Sequence, residues 1–257
     1  MRYRWLGSAL LVLAGACAAG CGGGSSAASG GPTTSVTPVG STTPTPTPTP
    51  SPTGPNGIAS LAPTVALSKV SAAAAGQTSV HITGTVAQGK DTLGLDVQAG
   101  LTSGQGTLHL GGGRVTLRLT NGTIYLNGDV KGLIGLGFPK ATATATANQW
   151  IGAQAAATSL SALLNFTDLV KSIVTPNGKV VAGRTTTVNG ISVYTLVDKT
   201  KNGGTLYIAT TGEPLPVQVV NAKPREKLSF SQWGAPISVT VPPKVIPVPS
   251  SVTSAAP

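Results

Sequence analysis

Cys21 closes a short apolar run, with Ala18, Ala19 and Gly20 before it and Gly22, Gly23, Gly24, Ser25 and Ser26 after it. Small residues ahead of a cysteine, at the end of a basic and then apolar leader, form the site that a lipoprotein signal peptidase cleaves. Arg2 and Arg4 supply the basic part, and residues 6–19 supply the apolar part. That stretch is shorter than the roughly 20 residues a membrane-spanning helix needs. Residues 1–20 therefore read as a removable leader. Cys21 becomes the first residue of the mature chain, its thiol carrying a diacylglyceryl group. Cys17, preceded by Leu13, Ala14, Gly15 and Ala16, is the alternative lipidation site. No other cysteine exists, so the folded part has no internal disulfide to draw on. The expected location is the outer face of the cytoplasmic membrane, reached through the acyl anchor.

The remaining reactive side chains do not assemble into a catalytic pattern along the sequence. A hydrolase needs a nucleophile beside a base. His81 and His109 are the only histidines, each within an alternating segment, and there is no G-x-S-x-G elbow. Asp91, Asp96, Asp129, Asp168, Asp198, Glu213 and Glu226 are spread singly, without the close pair that glycoside hydrolysis uses. No spacing matches a zinc or calcium site, and Gly135-Leu136-Gly137 lacks the third glycine of a dinucleotide loop. The chain is expected not to be an enzyme and to hold neither cofactor nor metal.

The formal net charge is +10, or +8 once Arg2 and Arg4 leave with the leader. Along the sequence, lysine and arginine are scattered. Tryptophan, tyrosine and phenylalanine number three, four and three, too few to interleave a basic surface with stacking platforms. Nucleic acid is therefore not an expected partner. Diffuse positive charge outside a membrane suits weak attraction to lipid headgroups or wall polymers. Lys223-Pro224-Arg225-Glu226-Lys227 reads as a solvated hairpin tip.

These residues must be positioned by a domain bounded on both sides by low-complexity chain. Residues 21–57 form a Thr/Pro-rich tether without a single charge, extended at about 3.1 Å per residue. Residues 242–257 read as a disordered tail. Between them, 58–241 is one domain, expected to be monomeric. A helix is predicted over 62–75, then period-two alternation: Leu93, Leu95, Val97, Ala99 and Leu101 share one strand face, and Val115, Leu117 and Leu119 share another. Strands are predicted near 79–87, 93–101, 106–110, 115–120, 123–127, 180–188, 191–198, 205–209, 217–221, 227–232 and 237–241. Short turns such as Asn121-Gly122 and Asn189-Gly190 make neighbouring strands antiparallel. Helical spacing over 130–147 and 159–174 interrupts them. The result is an α+β domain of ten or eleven antiparallel strands with few helices. Its apolar strand faces outrun the helices available to cover them, so the sheet must curl or enclose a guest.

After the lipobox and tether come Asn121-Gly122-Thr123-Ile124-Tyr125, Asn148-Gln149-Trp150-Ile151 and the Asn189-Gly190 hairpin. Then follow Leu206-Tyr207-Ile208, Thr211-Gly212-Glu213, Ser229-Phe230-Ser231-Gln232-Trp233-Gly234 and Val239-Thr240-Val241-Pro242. In the order of these short motifs the chain resembles the actinobacterial lipoproteins of the LppX/LprG/LprA/LprF type. The resemblance implies a strongly curved half-barrel, broadly similar to the LolA/LolB carriers, with helices on its concave face. It also implies an apolar cavity for an acyl lipid or glycolipid that the protein carries or presents. The candidate lining is Leu93, Leu95, Val97, Val115, Leu117, Leu119, Ile124, Leu126, Leu160, Leu163, Phe166 and Ile173. The Ala/Thr-rich segment 141–147 and the low aromatic content depart from the family pattern. The alternative is a surface-displayed scaffold that meets a wall polymer or a protein and has no lipid cavity.

Overall fold

The computed structural model describes residues 54–88, 91–154, 164–201, 203–221 and 226–247. The first half of the domain is helix α1 (Pro63–Ala75) and strands β1 (Ser79–Gln88), β2 (Asp91–Gly100), β3 (Gly104–Leu110), β4 (Gly113–Thr120) and β5 (Thr123–Gly128). Helices α2 (Val130–Gly135) and α3 (Lys140–Thr146), strand β6 (Trp150–Gln154) and helix α4 (Phe166–Val174) follow. The second half is β7 (Val180–Val188), β8 (Ile191–Asp198), β9 (Gly204–Ala209), β10 (Pro216–Asn221), β11 (Lys227–Ser231) and β12 (Val245–Pro247). All twelve strands join one curved, unclosed sheet in the order β12-β6-β5-β4-β3-β2-β1-β11-β10-β9-β8-β7.

The register explains why the sequence alternates. Ile151, Leu126, Leu117, Gly106, Val97, Ile82 and Phe230 are successive cross-strand partners from β6 to β11. Leu228, Val219, Leu206, Leu196 and Ala182 continue a neighbouring row to the opposite edge at β7. Partners in an antiparallel pair share a face, so one face of the sheet is apolar along its full width. Nearly all of these side chains belong to a single buried cluster.

The helices sit on that face. On α1, Ala66, Val70 and Ala74 are buried at a spacing of four, a seam of small residues that lets α4 approach closely. On α4, Phe166, Val170 and Ile173 turn inward, and the Asn165 carboxamide oxygen accepts from the Asp168 N–H at 3.1 Å to start the helix. Helix α2 packs against β3, β4 and β5. Asp129 holds it there: one carboxylate oxygen accepts from the Gly132 N–H at 2.7 Å, and the other accepts from the Arg114 N–H of β4 at 2.9 Å. Gly113 faces the Gly132 backbone so closely that a Cβ would collide with it.

Four expectations are corrected. The helix predicted over 130–147 is two helices, because Gly137 takes a φ of +93° and Pro139 cannot continue the α2 ladder. Strand β6 was hidden by the Ala/Thr repeat before it; Asn148, in left-handed conformation at φ 61°, ends α3 and leaves Trp150 and Ile151 to extend. Residues 237–241 are not a strand. The twelfth strand is Val245–Pro247, inside the presumed tail, pairing parallel with β6 in an otherwise antiparallel sheet. Proline is tolerated there because β12 is an edge strand. The ordered domain also begins earlier than residue 58. The Gly212 N–H donates to the Gly54 carbonyl at 2.9 Å, and the Asn56 N–H to that of Thr210 at 3.0 Å. Within the segment expected to be helical over 159–174, α4 starts at Phe166 after the extended Asn165, and residues 159–163 lie outside the described residues.

Gly84 lies between Leu95 and Leu228 in the apolar row, at φ 146°, where a Cβ would run into the Lys227 carbonyl oxygen. Gly84→Ala should destabilise the domain by about 2 kcal/mol or more, since backbone strain and a clash add. The check is a lower urea midpoint with an unchanged slope.

Candidate functional site

The apolar interior gathers the predicted lining residues. Leu93, Leu95, Val97, Val115, Leu117, Leu119, Ile124 and Leu126 all project from β2, β4 and β5 onto the inner face, and none exceeds 9% exposure. Phe166 and Ile173 of α4 meet the same cluster, at 2% and 1% exposure. Leu160 and Leu163, and the lipidation candidates Cys21 and Cys17, lie outside the described residues. The ten described side chains are thus on one side of the sheet and packed against protein atoms. They form part of the buried core between the sheet and the helices.

At one rim of the sheet an aromatic group missed by the sequence reading ties that layer down. Trp233, just after β11, stacks edge-on against Phe166 with ring centroids 6.3 Å apart and lies 6.2 Å from Phe230. Its Nε1–H donates to the Pro216 carbonyl at 3.0 Å. Gly100, at the end of β2, forms a bridge with Asn165, so the start of α4 is fixed from both sides. A tryptophan just beyond a strand gives no sequence signal of what it will touch.

The outer face is polar. A shallow groove of about 420 Å³ runs across it, lined by His81, Asp96, Gln98, Gln105, Thr116 and Arg118 among others. His81 Nε2 is 2.7 Å from Asp96 Oδ1, and the Ser231 hydroxyl is 3.5 Å from His81 Nδ1. Register produces this meeting: Ser231 is the direct partner of His81 on β11, and Asp96 is diagonal to it on β2. The residue types are those of an acyl-transfer triad, which the separation of 81, 96 and 231 in sequence concealed. The arrangement is poor for that chemistry. Asp96 is 65% exposed, so water competes for the carboxylate that must orient the imidazole, and the serine contact is at the limit of hydrogen bonding. Arg118 is already committed: it donates to the Thr240 carbonyl at 3.0 Å, and its guanidinium sits 4.7 Å from the centre of the Trp150 ring. His109 is exposed on β3. A second outer groove of about 610 Å³ lies beside the bulge of β7, lined by Arg184, Thr195, Tyr207 and Gln218. Among the described residues no three metal-ligating side chains converge, and no helix is long and apolar enough to cross a membrane.

No protein-family model matches the chain, and no curated protein matches it. Among solved structures it is similar to the lipoprotein LppX of Mycobacterium tuberculosis, at 17% sequence identity and a TM-score of 0.42. That match covers 68% of this chain and 96% of the other.

Two outcomes test these assignments. Trp233→Ala should remove a ring contact and a hydrogen bond at once, costing about 2 to 3 kcal/mol and exposing the amides of α4 first in hydrogen exchange. A fluorophosphonate probe should leave Ser231 unlabelled, and Ser231→Ala should hydrolyse a nitrophenyl ester no more slowly than the unchanged chain.

Proposed function

We propose that this chain is a membrane-anchored envelope lipoprotein that holds an acyl lipid or glycolipid against the apolar face of its sheet, then carries or presents it. The observation that carries the reading is the apolar row from Ile151 to Phe230, with a neighbouring row from Leu228 to Leu196, covered on the concave side by short helices rather than by a second sheet. Helix α4 packs chiefly on α1. Parting the two from the sheet would break the Gly100–Asn165 bridge and the Trp233–Phe166 contact, but none of the pairings between the twelve strands.

The energetics suit a carrier. Burying each CH₂ is worth about 0.8 kcal/mol, so a 16-carbon chain exposed to water costs on the order of 13 kcal/mol. Leucine, valine and isoleucine side chains offer an environment close to that of the bilayer. Exchange between the two is then nearly balanced, and the same residues serve as core when the lipid is absent. The anchor at Cys21 and the tether over 21–57 would keep the domain within reach of its lipid source. The lining residues are those named above, with Leu117 and Val97 on either side of Gly106 at the centre of the row.

A second reading is favoured by a specific observation, the closure of the interior: every described candidate is already buried. A surface-displayed interaction domain would need no more than that. Native mass spectrometry of the chain from Gly22 onward separates the two. Acyl species should co-purify, and delipidation should lower the melting temperature. A clean protein mass, with no quenching of tryptophan fluorescence by a brominated fatty acid, would leave the interaction module in its place.

A further inference from the structure

We propose that the domain docks through one end of its sheet onto an anionic phospholipid surface. The fold collects there the cations that the sequence scatters. That end is defined by the β3–β4 and β8–β9 turns and by the approach from α4 to β7. Arg114 stands at the start of β4, Lys131 on α2 and Lys140 at the first position of α3, all three exposed. Lys171 is in the last turn of α4, Lys179 precedes β7, and Lys199 and Lys201 occupy the β8–β9 turn, again all exposed. The Lys199 N–H donates to the Lys179 carbonyl at 3.1 Å, which joins the two loops. Lys227 begins β11, and Lys244 precedes β12 beside the start of β6. Nine of the twelve described cations therefore share one rim; Lys69, Arg118 and Arg184 lie elsewhere.

The carboxylates at the same rim are mostly occupied. Asp129 accepts the two N–H groups given above. Asp198, 4% exposed, accepts from the Asn177 N–H at 2.7 Å and the Thr200 N–H at 2.9 Å. Glu226 accepts from Asn221 Nδ2 at 2.8 Å. Asp91 alone is exposed there. The opposite rim holds Asp168, Glu213 and the point where the chain joins the sheet at Gly54–Asn56.

Shape decides the partner. The cations follow the rim from α3 to β8, the arc of a sheet whose neighbouring strands are about 4.8 Å apart. A compact ligand would touch one group and miss the other. A planar array of anionic headgroups meets both, and each lysine near such a surface adds favourable free energy that salt screens. Docking this rim stands independently of any cavity in the interior.

The test is co-sedimentation of the chain from Gly22 onward with phosphatidylcholine vesicles, with and without phosphatidylglycerol. Binding should require phosphatidylglycerol and vanish at high salt. The combined change Lys131→Glu, Lys199→Glu, Lys201→Glu should weaken it about tenfold or more. So should a second set, Lys140→Glu with Lys179→Glu, which guards against misfolding of the first. Arg184→Glu should leave it unchanged. Absence of vesicle binding, or binding that survives both sets with the melting temperature retained, overturns the proposal. Equal affinity for soluble poly-glutamate overturns it too, and assigns the rim to a polyanion. Acyl species found by mass spectrometry in the charge-reversed chains would show that failure here leaves the interior reading intact.

Discussion

The cross-strand register is the constraint from which the rest of this molecule follows. Because the side-chain period of a strand is two, pairing Leu117 with Gly106 and Leu126 commits every neighbouring leucine and valine to the same side. A slip of one residue anywhere in the sheet would turn an apolar face to water and put Thr116 and Arg118 in the core. The curved sheet, the helices on its concave side and the polar outer groove are all consequences of that single choice of side. Gly84 and Gly106 are part of it, since they occupy positions in the row where a neighbouring backbone comes too close for a side chain.

Much of this was legible in the residues. Alternation in 93–101 and 115–120 located β2 and β4, and Asn121-Gly122 and Asn189-Gly190 marked turns where the asparagines do take positive φ. What was hidden depended on partners distant in sequence. Three residues, Val245, Ile246 and Pro247, carry too little pattern to announce a strand, and become one only because β6 offers a free edge. The Ala/Thr run before β6 has helical character in itself and drew the expected helix across 130–147, although Gly137 and Pro139 are local signals for a break. Of the site, the shared parity of the lining residues was legible, but not which face of the sheet turns inward. The role of Trp233 and the meeting of Ser231, His81 and Asp96 were not, because each depends on β11 lying beside β1, a junction of strands from opposite halves of the chain.

That junction also explains how one sheet can serve two kinds of surface. β1 and β11 lie in the middle of the strand order, so the two halves of the domain meet along a continuous ladder and not across a hinge. The interior is shared between halves. The basic rim is likewise assembled from turns of both, which is why cations evenly dispersed in sequence converge in space. Asp129 and Asp198 each accept two backbone N–H bonds, so their carboxylates tie neighbouring turns together rather than reaching out to the lysines.

The place where the chain joins the sheet has a mechanical side. Ahead of α1, the segment from Gly54 to Asn56 is held to Thr210–Gly212 by a few backbone hydrogen bonds, and Ile58 is buried just beyond. Tension arriving through the tether would load those bonds first, and then draw on Ile58 and the first turn of α1. Along the chain α1 comes before β1, so a pull on the tether would reach the helical cover before it reached the first long strand of the sheet.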